Sequence, residues 1–161
     1  MTRDPGAPLA LRTASPADAP AIAALVNAAF ALEHEWVEGD RTSEEEVAAL
    51  LRQGIFLVVD GDAKPIACAY VEQKGYRCYL GMLAVDPAQQ KAGLGRRMMT
   101  AAEEFARSRR ARSMDIRILS VRQELPAFYH RLGYVDEGTA PYENPRARVP
   151  AHYILMSKVL Q

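Results

Sequence analysis

The chain has 161 residues, 49% of them hydrophobic, which fits one folded domain with a sizeable core. Its 20 basic residues equal its 20 acidic residues, so no net charge attracts nucleic acid or an anionic membrane. The longest purely aliphatic or aromatic run, Ile55 to Val59, is far too short to span a bilayer. We expect no nucleic-acid or membrane partner, a loose N-terminal tail over residues 1–8 without a signal peptide, and a single domain over residues 9–161.

The two cysteines, Cys68 and Cys78, stand outside any CxxC pattern. This spacing does not predict a zinc or redox site, so no metal is expected. Two free thiols packed in or beside strands are the simpler interpretation. Free thiols also favour a reducing, cytoplasmic location.

The first half of the chain predicts two helices followed by three strands. After a short possible strand from Leu9 to Thr13, the run Ser15 to Asp18 is typical of a helix start, with a capping residue, an early proline and an acid. A second capping box, Thr42 to Glu45, starts another helix. Short loops then separate three strands, which predicts an antiparallel meander. These strands are Ile55 to Asp60, Ile66 to Glu72 and Arg77 to Val85.

The second half of the chain predicts a strand-helix-strand unit. The helix after Asp86-Pro87 has an apolar face, and Glu103 falls on the outward face, where it can pair with Arg107 one turn on. The strand Met114 to Val121 follows, which favours parallel pairing with the strand before the helix. The result is a mixed α/β sheet, antiparallel first, with one parallel pair inside it. The remaining elements are a helix near Leu125 to Leu132, ended by Gly133, and strand candidates Tyr134 to Glu137 and His152 to Val159.

The most informative segment, Gln90 to Arg96, lies between a predicted strand and an amphipathic helix. Its glycines, Gly93 and Gly95, let a ligand approach the backbone closely. The first amides of a helix have no internal partners and point outward with the positive end of the helix dipole. The segment therefore predicts a binding site for a pyrophosphate.

Other interpretations of this segment are available. A plain turn would also use a Gly-x-Gly pair. A P-loop is excluded because no Gly-Lys-Ser/Thr follows at the required spacing. A dinucleotide site would use Asp115, about 20 residues further on, as the ribose-binding acid. Against it, Met98 occupies the place of the third glycine, and Asp86 to Ala92 separate the strand from the turn.

Two motifs in register resemble the GNAT superfamily of N-acetyltransferases. Gln90-Lys91-Ala92-Gly93-Leu94-Gly95 matches the family signature Gln/Arg-x-x-Gly-x-Gly/Ala. Leu125 to Tyr134 is similar to its second signature, an aromatic-Tyr pair followed by Leu-Gly-aromatic. Leu83 to Pro87 looks like the end of the family's fourth strand. The resemblance extends from about residue 9 to 160 and implies the GNAT-like acyl-CoA N-acyltransferase fold: a largely antiparallel sheet with a parallel central pair splayed around coenzyme A, and about four helices.

The resemblance also implies a reaction. Acetyl-CoA would be the cosubstrate, and its acetyl group would pass to a primary amine of a small molecule or peptide by direct attack in a ternary complex. An amide near Leu83 would bind the thioester carbonyl. A homodimer is a further implication, since many relatives form dimers. The residues implied in binding acetyl-CoA are Met82, Leu83, Ala84 and Val85 for the pantetheine arm, and Gln90, Lys91, Ala92, Gly93, Leu94, Gly95 and Arg96 for the pyrophosphate.

Tyr129 is the implied catalytic acid, because a phenol stays protonated at neutral pH and can donate to the departing thiolate. Its spacing with Leu125, Phe128 and Leu132 also fits a plain core aromatic. The general base is open, because the strand Tyr79 to Val85 has no acid and Arg122 stands where many relatives have Asn. The candidates are Glu33, Glu35, Glu72, His152 or water.

The acidic segment Glu33 to Asp40, which contains Trp36, suits a cationic acceptor through charge and cation–π contact. The segment Thr139 to Pro150 is the candidate for the opposite wall of the acceptor site. Both segments are also compatible with ordinary exposed loops. A different class of function, a non-catalytic acyl-CoA-binding sensor or partner module, would carry the same glycine segment.

Overall fold

The computed structural model describes residues 10–161, so the predicted tail, residues 1–8, and the predicted strand start at Leu9 lie outside the described residues. Within this part of the chain, none of the helices is both long and apolar enough to cross a membrane. The described strands are β1 (Leu11–Thr13), β2 (Ile55–Asp60), β3 (Pro65–Lys74), β4 (Arg77–Val85), β5 (Ser113–Leu119), β6 (Val135–Pro141) and β7 (His152–Val159). The described α-helices are α1 (Ala19–Ala29), α2 (Glu44–Leu51), α3 (Leu94–Ser108) and α4 (Leu125–Arg131), with 3₁₀ turns at Pro16–Asp18, Ala31–Glu35 and Pro87–Ala92.

The strands that the structure describes form one sheet in the order β1-β2-β3-β4-β5-β7-β6. The first four strands pair antiparallel. Short turns impose this direction on β2, β3 and β4, whereas α1 and α2 separate β1 from β2. β4 and β5 pair parallel, since α3 carries the chain back between them. β7 then inserts antiparallel between β5 and β6. The predicted mixed sheet with one parallel pair is confirmed.

Side chains at the helix starts explain where α1 and α2 begin. The Ser15 amide donates to the Asp18 carboxylate at 2.8 Å, and regular helix begins at the next residue, Ala19. The start of α2 is one residue later than predicted. The Ser43 hydroxyl, not that of Thr42, caps it by accepting from the Glu46 amide at 3.1 Å.

The core lies on both sides of the sheet, because successive strand side chains point to opposite faces. On β2, Phe56 and Val58 pack under α1 and α2, whereas Leu57 and Val59 pack on the side of α3 and α4. Helices on both faces of a sheet are a stable way to bury two apolar surfaces. The two cysteines are buried within β3 and β4, as predicted. Burial raises the pKa of the Cys68 thiol to about 12, so this thiol stays protonated.

Glu103 corrects one prediction for α3, since its side chain is buried rather than on the outward face. The Tyr134 hydroxyl donates to its carboxylate at 3.0 Å, and the Lys158 ammonium donates at 2.8 Å. The predicted pairing with Arg107 is also present, at 3.9 Å. A buried carboxylate is tolerated because these donors satisfy it. The helical period of α3 could not indicate these donors, because Lys158 lies on β7 and Tyr134 lies just before β6.

Candidate active site

The sheet opens in its middle, between β4 and β5. β4 and β5 pair only at their beginnings, where Arg77–Tyr79 bond to Ser113–Asp115. Beyond this point β4 stays paired with β3 as far as Val85, and β5 stays paired with β7 as far as Leu119. A cavity of about 300 Å³ fills the opening, and we call it the central cleft. Its lining comprises Ala29, Phe30, Leu32, Glu33, Arg41, residues 79–83, Val85, Gln90, Gly95, residues 117–119, Arg122, Leu125, Phe128, Tyr129, Tyr142 and Tyr153. The predicted splaying of the parallel pair is confirmed.

A bulge in β4 turns its backbone beside the cleft. Tyr70 pairs with Gly81 and Cys68 with Ala84, so β4 has two residues, Met82 and Leu83, where β3 has one. Met82 has a φ of 51°, in the left-handed region that side chains other than glycine disfavour. The Cys68 thiol donates to the Met82 carbonyl oxygen at 3.5 Å, which holds the turned backbone. Bulges and left-handed residues redirect main-chain groups and are frequent at functional sites.

The predicted glycine segment spans the end of the 3₁₀ turn Pro87–Ala92 and the start of α3. Gly93 has a φ of 70°, and a Cβ placed there would meet open space. A Cβ on Gly95 would lie 3.8 Å from the Val85 side chain, in ordinary contact, and Gly95 lines the cleft. In the described structure no side chain caps the first turn of α3, unlike that of α2. Helix-start amides that no side chain caps suit an anionic ligand.

The structure brings part of the predicted cofactor-binding set to the cleft. Met82, Leu83, Val85, Gln90 and Gly95 line it. The Gln90 side chain donates to the Val85 carbonyl oxygen at 3.2 Å, so it joins the loop to the end of β4. The other predicted members lie around this group: Ala84 is buried on the α1 side, Leu94 is buried on the α3 side, Gly93 and Arg96 are exposed, and the backbone of Lys91 and Ala92 belongs to the 3₁₀ turn Pro87–Ala92.

Tyr129 is both a core aromatic and a part of the cleft wall. Its ring packs edge-on against Phe128 and Tyr134, with centroid distances of 5.0 and 5.8 Å, and 8% of the residue is exposed. Burial raises the pKa of the Tyr129 phenol to about 12; the charge of Arg122 acts to lower it and Tyr79 to raise it. The phenol is therefore neutral at physiological pH and retains its proton for donation.

The predicted base candidates occupy different places. Glu33 lines the cleft, and its carboxylate accepts from the Arg122 guanidinium at 2.6 Å. Glu72 accepts from the Tyr70 hydroxyl at 2.9 Å, away from the cleft lining. Glu35 and His152 are exposed and also lie outside that lining. Among these candidates, all of them in the described part of the chain, Glu33 alone faces the cleft, and it is held in an ion pair.

The two predicted acceptor walls contact each other. The Arg148 amide donates to the Trp36 carbonyl oxygen at 2.7 Å, and Val37 forms a strand-like bridge with Ala147. The Arg148 guanidinium donates to the His34 carbonyl oxygen at 3.1 Å. These bonds join residues 33–40 to residues 139–150 as one rim of the site.

Sequence reasoning missed Arg41, Arg117, Tyr79 and Tyr153, which line the cleft. A signal for Arg117 was present in the alternation of β5, where Ile116 and Ile118 are buried and Arg117 points to the other face. Arg41 and Tyr153 reach the cleft through the folding of distant segments, and no local pattern indicates them.

Comparisons with known proteins agree with this geometry. A family model described as an acetyltransferase (GNAT) domain matches residues 52–136, slightly more than half of the chain. The chain therefore belongs to the GNAT acetyltransferase family, as its motifs predicted, and is an acetyltransferase with acetyl-CoA as its cosubstrate. No curated protein sequence matches the chain significantly.

Solved structures of acetyltransferases share the fold. The ribosomal-protein-S18-alanine N-acetyltransferase from Escherichia coli superposes with a TM-score of 0.77 at 18% identity, over 94% of this chain and 93% of that one. The ribosomal-protein-alanine N-acetyltransferase from Brucella melitensis gives 0.76 at 21% identity, over 94% and 100%. The protein yncA from Salmonella typhimurium, determined with its cofactor acetyl-CoA, gives 0.73 at 20% identity, over 96% and 95%. At these identities the likeness establishes the fold.

Proposed function

We propose that this acetyltransferase acts on a primary amine of a small molecule or peptide, by direct attack in a ternary complex formed in the central cleft. The observation that carries the proposal is the opening between β4 and β5, next to the Met82 bulge and the uncapped start of α3. An exposed strand edge and free helix amides are the two kinds of main-chain group that an extended, partly anionic ligand needs.

The residues present suit coenzyme A. Acetyl-CoA, when bound, supplies the acetyl group as a reactive thioester. In our proposal the backbone of Met82 to Val85, beyond its pairing with β5, binds the extended pantetheine arm as an added strand would. The first-turn amides from Gly93 to Arg96 bind the diphosphate, and the lack of a side chain on Gly95 leaves the approach clear.

The bulge supports a role for the Leu83 amide in stabilising negative charge. Because β4 carries one extra residue here, the main chain leaves the regular ladder with β3 and turns beside the cleft. A backbone N–H donor in this position would bind the carbonyl oxygen of the thioester, where charge develops during acyl transfer. A backbone donor is fixed before the reaction and needs no rearrangement.

We assign the proton donor to Tyr129. Its phenol lines the cleft, and the raised pKa keeps a proton on its hydroxyl oxygen at neutral pH. The amine nitrogen would bond to the acetyl carbon first, and Tyr129 would give its proton to the sulfur as the carbon–sulfur bond then breaks. We assign no protein base, because Glu33 is paired with Arg122; solvent takes the proton of the acceptor amine.

The test is acetyl transfer across amino acids, polyamines, aminoglycosides and peptides. Each is incubated with the protein and acetyl-CoA, thiol release is followed above the rate without acceptor, and mass spectrometry identifies the acetylated product. We expect one class of amine to be acetylated. If the protein bound acetyl-CoA but no amine was acetylated, the alternative function, a non-catalytic acyl-CoA-binding sensor or partner module, would replace this proposal.

Three broader expectations belong to the same proposal: a single domain over residues 9–161, a cytoplasmic location and a homodimer. Light scattering of the purified protein measures the oligomeric state directly. Each of these stays a prediction.

A further inference from the structure

Arg117, an exposed residue, places a positive charge at the lining of the central cleft. Its guanidinium lies 4.6 Å from the ring centroid of Tyr153 and 5.5 Å from that of Tyr79, so two aromatic faces orient it. Among the residues that the structure describes, Arg117 has no carboxylate partner. A guanidinium that is held in place and free of a counter-ion is suited to bind an anionic group of a ligand.

Arg41 adds a second charge of the same kind. It lines the same cleft, is half-buried, and lies over the ring of Phe30 at 5.6 Å from the centroid. In the range 10–161 it too has no carboxylate partner. Arg41 and Arg117 reach the cleft from opposite ends of the chain, one from the segment before α2 and the other from β5.

The remaining charges of the lining do not offset these two. Among the side chains that the structure describes, the lining contains three arginines and one carboxylate, that of Glu33. Glu33 is bound by Arg122, which also donates to Glu124 at 2.7 Å. The other acids of the predicted acidic segment, Glu35, Glu38 and Asp40, are exposed and lie outside the cleft lining. The cationic acceptor expected from the sequence is therefore disfavoured, because its charge would meet Arg41 and Arg117.

The anionic group that Arg117 would bind is not the diphosphate of the cofactor. On β5, Ile116 and Ile118 face the core under α3 and α4, whereas Arg117 points to the opposite face. Tyr79, which Arg117 contacts, packs with the α1 and α2 side of the core. The glycine segment that starts α3 is on the other side. Arg117 thus faces the half of the cleft that is left for the acceptor.

We propose that the acceptor is a small amine that also carries a carboxylate, as an α-amino acid does, and that Arg117 binds this carboxylate with Arg41 as a second cation. This inference rests on the proposed function and names the substrate class for the same site. A guanidinium matches a carboxylate with two parallel hydrogen bonds. The aromatic rings of Tyr79, Tyr153 and Phe30 flank the rest of the molecule.

The test uses matched sets of three amines: each proteinogenic L-amino acid, its carboxamide, and the amine left after decarboxylation. Acetylation is measured as kcat/KM per unprotonated amine, because the three amines differ in basicity. We expect kcat/KM for the best acid to exceed that for its amide and for its decarboxylated amine by about 10- to 100-fold, the range of a hydrogen-bonded charge pair.

Arg117→Gln should lower kcat/KM for the acid by a similar factor and leave that for the amide within about threefold of the wild-type value. Arg117→Lys keeps the charge but loses the paired N–H donors of the guanidinium, so its kcat/KM for the acid should lie between those of the wild type and Arg117→Gln.

Arg112→Gln is the matched control, because Arg112 also lies over a tyrosine ring, at 4.2 Å from that of Tyr76, but outside the cleft lining. It should leave the acid-to-amide ratio and the KM for acetyl-CoA unchanged. Acetylation of acids and amides at equal rates, or an equal loss for both in Arg117→Gln, would overturn this inference and leave the proposed function intact. Acetylation of none of the amines in these sets or in the broader panel would overturn the proposed function, and the inference with it.

Discussion

The Arg122 guanidinium and the Glu33 carboxylate form an ion pair, 2.6 Å between Nη1 and Oε2, that joins the 3₁₀ turn after α1 to the loop after β5. Both side chains are 12% exposed, and Arg122 also donates to Glu124. The pair closes one side of the central cleft. We therefore expect Glu33 to act as a structural residue, although it lines the cleft as a general base would.

Glu33→Gln tests this assignment. The amide oxygen can still accept a hydrogen bond from Arg122, so the loop stays in place and we expect turnover to fall by less than about tenfold. Loss of a true general base costs roughly 10²–10⁴-fold. Steady-state kcat with a saturating amine is the measurement, and Glu35→Gln, at an exposed position nearby, is the control. A loss of a hundredfold or more, restored at higher pH, would make Glu33 the base.

Arg122→Met should destabilise the protein by about 3 kcal/mol, because it leaves the Glu33 carboxylate buried without its cation. Urea unfolding measures the change. The double variant Glu33→Gln/Arg122→Met should recover part of the loss, since no unpaired charge then remains. The free energy of unfolding of Glu33→Gln alone is the reference. If Glu33→Gln lowered that free energy by the same amount in Arg122→Met as in the wild type, the two side chains would be energetically independent.

Tyr129→Phe should keep acetyl-CoA binding and lower turnover by roughly 10²–10⁴-fold, because the ring remains packed while the proton donor is lost. The pKa of about 12 adds a prediction for the wild type. A donor acts below its pKa, so kcat should not decline through ionisation of Tyr129 until the pH approaches 12. Tyr76→Phe, at a residue that is 60% exposed, is the control. Unchanged turnover in Tyr129→Phe would reduce Tyr129 to a packing residue.

Substitutions of Gly95 should affect acetyl-CoA binding according to size. Gly95→Ala adds a Cβ in ordinary contact with Val85, at 3.8 Å, and should change the KM for acetyl-CoA little. Gly95→Leu places a larger side chain in the cleft and should raise that KM by about tenfold or more, the cost of forcing extra volume into an occupied site. Thr100→Leu, exposed on the same helix, is the control for folding. Equal affinity in Gly95→Leu would contradict a cofactor approach over this glycine.

Asp18 should make the stability of the protein depend on acid pH. Hydrogen bonds from Arg12, both at 2.9 Å, and from the Ser15 amide lower the pKa of Asp18 to about 2. Because this pKa is depressed in the folded state, the stabilisation is present above about pH 4 and is lost as the pH falls towards 2.

Asp18→Asn should therefore lower the free energy of unfolding by about 1–2 kcal/mol at neutral pH, a value reduced for the partial exposure of Arg12. The difference from the wild type should shrink as the pH falls from 4 towards 2. Urea unfolding at several pH values is the measurement, with exposed Asp62→Asn as the control. A difference that stayed constant with pH would show that the carboxylate charge is not responsible.

The sequence alone was sufficient for the element order, the parallel pair and the glycine segment. The elements and the glycine segment depend on interactions within a few residues: the alternation along Arg77–Val85, the helical period that starts at Leu94, and the left-handed Gly133 after the last helix. The parallel pair follows from the strand-helix-strand order, because the helix returns the chain to the end of the sheet from which it came. The two motifs that indicated the acetyltransferase family are local for the same reason. The start of α2 was misplaced by one residue, because Thr42 and Ser43 have the same capping chemistry.

The tertiary structure alone decided which charged groups meet. Glu33 and Arg122 are 89 residues apart, and Glu103 and Lys158 are 55 apart, so neither pair leaves a periodic signal in the sequence. The same holds for Arg117, whose orientation depends on a ring from β4 and another from β7. Local sequence patterns indicate which face of an element is buried, although they misplaced Glu103. The partners of a buried or oriented charge depend on the order of strands in the sheet, and the charge of the proposed acceptor site follows from that order.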